Sequence, residues 1–314
     1  MLAKAIFKSG ASYRNPDLFA ELEKLKESDF YSYDELSQIK LTKLKALLKF
    51  TKKNSAFYRN KIQRTDNDLI ASFNQIPIID KATLINNQDE INCYKIFKKL
   101  LLAESSGTSG TTFKFFKNLE WDTKARASWM RGYSWFGVSP WDKNGYFWGY
   151  NTAGNQSLKT KVLDMAQNRF RLFSYDESEI VSFLNKLKSS TFLHGYSSMI
   201  YEVALKAQKL GMKQEDFSNI RMIKGTSEKI YDYYQEPVMS VFGQKIISEY
   251  GAAEAGIIAY ECPNGNMHIN EENVLLEEIE GEAVVTNLNA YSIPIIRYKL
   301  GDAIRIDKTN KCSC

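Results

Sequence analysis

Hydroxyl and glycine residues crowd together at Ser105-Ser106-Gly107-Thr108-Ser109-Gly110-Thr111-Thr112, with Lys114 close behind. Glycines let successive backbone N–H groups turn toward an anion, and hydroxyls add donors, so such a loop can wrap phosphates. It lacks the Gly-Lys-Ser/Thr ending of the P-loop NTPases, which argues against that class. Read alone, the composition also suits a flexible connector. A second set is Cys262 and His268, six apart across Pro263 and Gly265, with Cys312 and Cys314 two apart further on. Three thiolates and one imidazole make a closed, tetrahedral Zn²⁺ site of structural type, with no open position for catalysis. Ordinary reduced cysteines are the other reading, because the spacing is not that of a zinc finger. His194, in His194-Gly195-Tyr196-Ser197, reads either as a hydrogen-bonded core histidine or as part of a substrate pocket. Trp148, Gly149 and Tyr150 carry the same two readings.

These residues need elements to hold them. Residues 15–100 read mainly helical, with a loop at Asn54-Ser55 and an Ile76-Pro77-Ile78 segment before Lys81. Thr191–His194, Ile220–Ile223 and Lys245–Tyr250 read as strands. Between the first two, Ile200, Val203, Ala204, Ala207 and Leu210 trace one helical face that Gly211 stops. Glu228–Phe242 reads as a second helix. Strand–helix–strand–helix–strand implies a parallel sheet flanked by helices. Ala283–Thr286, Pro294–Tyr298 and Ile304–Ile306 then read as antiparallel strands, with Gly301-Asp302 as a turn. The expected fold class is α/β. It divides into a helical region over 1–100, an α/β core over 101–260 and a β-rich, barrel-like part over 261–314.

The chain has 314 residues, 44% hydrophobic and 25% charged, the balance of a globular protein. No stretch approaches the roughly 18 apolar residues that span a bilayer. The three-residue apolar run between Lys4 and Lys8 is too short for a secretory signal, so the expected location is the cytoplasm. With 42 basic and 37 acidic residues the net charge is +5, which calls for no nucleic-acid partner. Lys40, Lys43, Lys45, Lys49, Lys52, Lys53, Arg59 and Lys61 lie in one acid-free stretch in which Leu41, Leu44 and Leu48 recur at helical spacing. That is an amphipathic helix with a lysine-rich solvated face, or a surface for an anionic partner or membrane. Four cysteines are too few for a disulfide scaffold.

The Ser105–Thr111 loop, Tyr250-Gly251-Ala252-Ala253-Glu254 and Tyr298-Lys299-Leu300-Gly301-Asp302 resemble, in this order, the signatures of adenylate-forming enzymes. Asn54-Ser55-Ala56-Phe57-Tyr58-Arg59, Ile76-Pro77-Ile78-Ile79-Asp80-Lys81 and Gly225-Thr226-Ser227-Glu228 look like the phenylacetate–CoA ligase branch, and especially its relatives encoded with capsular polysaccharide genes. The resemblance covers the chain from about residue 40 onward. It implies ATP- and Mg²⁺-dependent joining of a carboxylic acid to the α-phosphate, release of pyrophosphate, and acyl transfer to CoA. An amine or hydroxyl of a sugar precursor is the alternative acceptor, and a non-catalytic nucleotide-binding protein is the rival class; a homodimer is compatible with either.

By resemblance, Ser105, Ser106, Gly107, Thr108, Ser109, Gly110 and Thr111 hold the β- and γ-phosphates, with Lys114 as an added cation. Glu254 holds Mg²⁺. Tyr250 stacks on adenine beside Gly251 and Ala252, and Asp302 accepts from the ribose hydroxyls. Ser227 and Glu228 lie beside the base, while Trp148, Tyr150, His194 and Gly195 line the acid pocket. Some relatives look similar at the Cys262, His268, Cys312 and Cys314 positions. Read without the family, Glu254 also suits a surface helix and Asp302 a turn. Two departures stand out. Ala253 replaces a common Thr or Ser, and the sequence stops at Cys314, before the hinge and small lid domain that the family carries.

Overall fold

The computed structural model describes residues 2–62, 69–105, 112–147, 158–172, 176–307, 309 and 312. The N-terminal third is helical as expected: α1 (Leu2–Arg14), α2 (Leu18–Ser28), α3 (Tyr33–Asn54), α4 (Leu69–Asn74), α5 (Lys81–Asn86) and α6 (Gln88–Ile91). Ser32 starts α3 with a reciprocal capping box to Glu35. Leu44, Leu47 and Leu48 are buried along one stripe of α3, while Lys45, Lys49 and Lys53 stay exposed. Among the described residues, no helix is long and apolar enough to cross a membrane.

A hairpin of β1 (Leu100–Ser105) and β2 (Phe113–Asn118) leads into α7 (Leu119–Trp135). The main sheet follows from β3 (Asn144–Phe147), α8 (Leu158–Ala166), β4 (Arg169–Arg171), α9 (Glu177–Leu187), β5 (Phe192–Tyr196), α10 (Ser197–Lys209), β6 (Met222–Thr226), α11 (Asp232–Phe242) and β7 (Ile246–Ala252). β8 (Gly256–Glu261) and β9 (Met267–Ile269) extend it, giving the order β4-β3-β5-β6-β7-β8-β9. Its first five members are parallel and its last two antiparallel. The chain reverses direction across the sheet between β3 and β5, where open parallel sheets bind ligands at their carboxyl ends.

Helices α9, α10 and α11 bury one face of the sheet against Phe147, Leu193, Ile223 and Ile246. The other face packs on α7 through Tyr133, Phe192, Met222 and Tyr260. Gly195 has φ +144° because β5 runs so close to β3 that a Cβ there would sit 2.3 Å from the Phe147 carbonyl oxygen. α10 ends ahead of Gly211, as its spacing implies. α11 begins at Asp232, four residues later than expected, because Glu228 is spent on α10: its carboxylate accepts from the Ser198 N–H (3.0 Å) and hydroxyl (2.7 Å).

The tail differs more. A three-stranded antiparallel sheet forms from β10 (Val274–Ile279), β11 (Glu282–Asn287) and β12 (Tyr298–Ala303). Pro294–Arg297 is not a strand. Ser292–Arg297 is buried without alternation, and Arg297 adopts φ +49° to send its guanidinium to the Asn74 and Ile76 carbonyls and the Glu277 carboxylate. Gly301-Asp302 is not a turn either. It is an irregularity inside β12, where the register slips between the Glu282–Ala303 and Val284–Lys299 pairs. Ile304–Ile306 forms no strand. The helical region meets this sheet in one core: Leu44, Leu48, Tyr58, Ile76 and Ile79 pack with Val285, Ile295, Ile296 and Tyr298.

Candidate nucleotide and acid site

The carboxyl ends of β5, β6 and β7 lie along one edge of the sheet, and the turn after β7 carries Glu254. Gly251 is required there: β8 folds back so tightly that a Cβ would meet the Gly256 carbonyl oxygen at 2.4 Å. Glu254 is buried, not on a surface helix, and its Oε1 accepts a hydrogen bond from the Tyr298 phenol at 2.9 Å. Its Oε2 is fully buried and has no hydrogen-bond partner among the described residues. The Asn287 amide donates to the Ala255 carbonyl at 2.9 Å and reaches the Glu254 carbonyl at 3.5 Å, fixing the turn.

A second bond runs the opposite way. The Tyr250 phenol on β7 donates to Asp302 Oδ2 on β12 at 3.0 Å. Each stretch thus supplies one tyrosine and, four residues later, one carboxylate, and each tyrosine holds the other stretch's carboxylate. Burial and the adjoining carboxylate push both phenols above their usual range, so both remain donors at neutral pH. The spacing Tyr-x-x-x-acid occurs in both motifs and was the available signal for Tyr298, which sequence reasoning passed over.

Ser105 ends β1 buried, and its hydroxyl accepts from the Phe113 N–H at 3.2 Å, closing the base of the hairpin. Ser106, Gly107, Thr108, Ser109, Gly110 and Thr111 lie outside the described residues, as do Trp148 and Tyr150. The hairpin is nevertheless directed to this site, because Phe113 and Phe115 share one core with Trp121 and Ala255. Lys114 is exposed and stands across the hairpin from Glu104. Lys117, also missed from sequence, is half-buried with its ammonium 5.1 Å from the Trp121 ring centre. Burial lowers its pKa, and the negative charges of Asp122 and Glu254 oppose that fall.

Gly225, Thr226, Ser227 and Glu228 follow the end of β6, with Ser227 held at φ +64°. His194 lies in the core of the α7 side, among the rings of Tyr133, Tyr146 and Phe192. Asn144 spends its amide N–H groups on the Asp142 and Gln167 carbonyls and presents Oδ1 to His194 Nε2 at 3.2 Å. That arrangement selects the Nε2–H tautomer and leaves Nδ1 to accept from the Tyr133 phenol at 3.4 Å.

Cys262 ends the β8 side of the sheet, and Cys312 returns to it. The ligand atoms of Cys262, His268 and Cys312 all lie within 4.8 Å of one another, and the two sulfurs are 3.7 Å apart. Sulfurs each about 2.3 Å from one tetrahedral zinc stand about 3.8 Å apart, so the donor set fits that ion and is far too open for a disulfide. Cys314 lies outside the described residues. The ring of His268 meets the edge of Trp135 at 6.0 Å, on the last turn of α7.

The fold is that of the adenylate-forming ligases. Two structures of 2-hydroxyisobutyryl-CoA ligase match it, one an open conformation and one in the thioesterification state, both in complex with 2-HIB-AMP and CoA. They superpose with TM-scores of 0.64 and 0.65 at 16% and 17% identity, over 83% and 87% of this chain and 68% and 64% of theirs. Protein CapK of Staphylococcus aureus is 24% identical over 314 aligned positions, 92% of this chain and 66% of CapK. The chain therefore spans about two thirds of the length of these relatives. No protein-family model matches it.

Burial first, then the charges of Arg169, Lys224 and Arg171, hold the His194 imidazole well below its ordinary range. The unfolded chain then binds the extra proton, so stability present at neutral pH is lost as pH falls through about 6.5. The unfolding temperature should drop between about pH 7 and pH 5, and His194→Gln should flatten that drop. A variant with the wild-type slope would show that other groups cause it.

Proposed function

We propose that the chain binds ATP with a divalent cation, activates a carboxylic acid as its acyl-adenylate with release of pyrophosphate, and serves acyl transfer to CoA. The observation that carries this reading is the buried Oε2 of Glu254, without a hydrogen-bond partner among the described residues, beside the carboxyl ends of the parallel strands, where open α/β sheets take their ligands. An acceptor atom held dry without a donor is what a cation ligand offers, and Mg²⁺ takes few carboxylates besides phosphate oxygens.

In this reading, Asp302 accepts from the ribose hydroxyls while Tyr250 keeps its other oxygen, and the Tyr250 ring stacks on adenine. Ser105 anchors the loop whose hydroxyls and N–H groups receive the β- and γ-phosphates, with Lys114 at its margin. Gly225–Glu228 borders the base. His194, neutral and hydrogen-bonded at both nitrogens, would form the floor of the acid pocket with Gly195. Bound Mg²⁺ would supply charge neutralisation where two anions must meet. The protein's own contribution is to hold the acid's oxygen in line with the α-phosphate and to exclude water.

Titration calorimetry with ATP and Mg²⁺ tests nucleotide binding, and ATP–pyrophosphate exchange across a panel of acids tests activation. Asp302→Ala should weaken ATP binding by about 1–3 kcal/mol through lost charge-assisted hydrogen bonds; unchanged affinity would remove Asp302 from the site. Hydroxylamine trapping of the acyl group, followed by a scan of CoA, amines and hydroxyls, separates the acceptor classes.

We also propose a structural Zn²⁺ on Cys262, His268, Cys312 and Cys314. It would fasten the end of the tail to the main sheet and the Trp135 end of α7. Protein purified without added metal should hold about one equivalent of zinc. Chelation or Cys312→Ser should release it and alter Trp135 fluorescence, whereas Cys93→Ser should do neither. Zinc-free protein with Cys262 and Cys312 titrating as ordinary thiols would refute the site.

A further inference from the structure

Glu254 is gripped from two directions. Asn287 holds its backbone turn, and Tyr298 holds one oxygen of its carboxylate. The phenol cannot readily follow the carboxylate if the carboxylate moves. Tyr298 is 2% exposed, its backbone bridges to Ile79, and the Lys299 N–H donates to the Ile79 carbonyl at 2.8 Å. Tyr58, fully buried, extends its own phenol toward the Ile296 carbonyl and fills the space behind this segment. The tyrosine is therefore the fixed member of the pair.

We infer that Tyr298 is a positioning residue for the divalent cation: it commits Glu254 Oε1 to the phenol and so presents Oε2 alone to the metal. The inference rests on the ATP–cation reading above. A carboxylate free to rotate would spread itself over several rotamers and would lose part of its binding energy in becoming ordered. Held as it is, its charge is already aimed, and the half-buried Lys117 ammonium gives it electrostatic company without a direct ion pair among the described residues. The consequence is a division of labour within one side chain, set by a residue that itself touches neither metal nor nucleotide.

Tyr298→Phe keeps the buried ring and removes only the hydroxyl. ATP affinity should be measured by calorimetry with and without Mg²⁺, on wild type, Tyr298→Phe, Glu254→Gln and the double variant. In wild type, Mg²⁺ should tighten ATP binding. Tyr298→Phe should cut that gain about tenfold while leaving metal-free ATP affinity within about twofold. Glu254→Gln should abolish the gain, and adding Tyr298→Phe to it should cause no further loss. A gain unchanged in Tyr298→Phe, or equal weakening with and without metal, would overturn the inference and leave a merely structural bond. A further loss in the double variant would overturn it too, and it guards against a folding defect passing for a metal effect. Wild type that binds ATP without any response to Mg²⁺ would instead refute the cation reading, and the inference with it.

Discussion

A carboxylate taken out of water must find donors or a counter-ion, since burying it bare costs several kcal/mol. In this protein buried Glu254 meets that demand through Tyr298, a neighbour of the solvent-exposed Asp302, which in turn bonds Tyr250. Tyr298 serves Glu254, Tyr250 serves Asp302, and the two bonds cross between β7 and β12. Because each tyrosine stands four residues before a carboxylate on its own strand segment, satisfying one pair brings the other into register. The crossed pair joins the carboxyl-end edge of the main sheet to the three-stranded sheet. Charge-assisted hydrogen bonds are the strong ones, about 1.5–3 kcal/mol where buried, as at Tyr298–Glu254; the exposed Tyr250–Asp302 bond is screened by solvent and contributes less.

Much of the remaining structure keeps that crossing in place. The segment before Tyr298 lies outside any strand, so separate contacts hold it: the Tyr58 phenol from just beyond α3, a backbone bridge to Ile79 in the Pro77 segment, and the Arg297 side chain across to Glu277. This gives a physical role to the Asn54–Arg59 and Ile76–Lys81 stretches, which lie far from the carboxylates in sequence. On the other flank α7 ties the sheet to the N-terminal helices. Arg131, buried near its C-terminal end, bonds Glu272 Oε1 at 2.6 Å and Asn270 Oδ1 at 2.8 Å, and Ser28 donates to the same glutamate. The Cys262–His268–Cys312 group closes the far end of this arrangement beside Trp135.

The sequence made the parallel sheet legible because β5, β6 and β7 are short apolar runs separated by two helices, the first of which, α10, carries a clean stripe from Ile200 to Ala207. The tail was misread for two identifiable reasons. Ser292–Arg297 is buried by packing and side-chain bonds, which an apolar run cannot distinguish from a strand. Gly301-Asp302 carries turn chemistry but is used to distort a strand, and that distortion lies where Asp302 meets Tyr250. For the candidate site, motif order singled out Tyr250, Glu254 and Asp302, and ligand chemistry singled out Cys262, His268 and Cys312, and the structure brings the members of each set close together. Asn287 was not legible, because it matters through a contact made across more than thirty residues of chain, and Lys117 only through its burial and the charges around it; Tyr298 had a signal in the repeated Tyr-x-x-x-acid spacing alone. His194 shows the converse: a rare residue draws notice in a sequence, yet here Asn144 and Tyr133 account for both its nitrogens.

Native-state hydrogen exchange on the ligand-free chain tests the crossed pair most directly. The account requires the β12 amides, including the Lys299 N–H on the Ile79 carbonyl, to be protected together with β7. In a Tyr250→Phe, Tyr298→Phe double variant, exchange in β12 should rise by about tenfold or more while β5 and β6 keep their wild-type rates. Unchanged protection of β12, or an equal rise across β5 and β6, would contradict the claim that these two bonds fasten one sheet to the other.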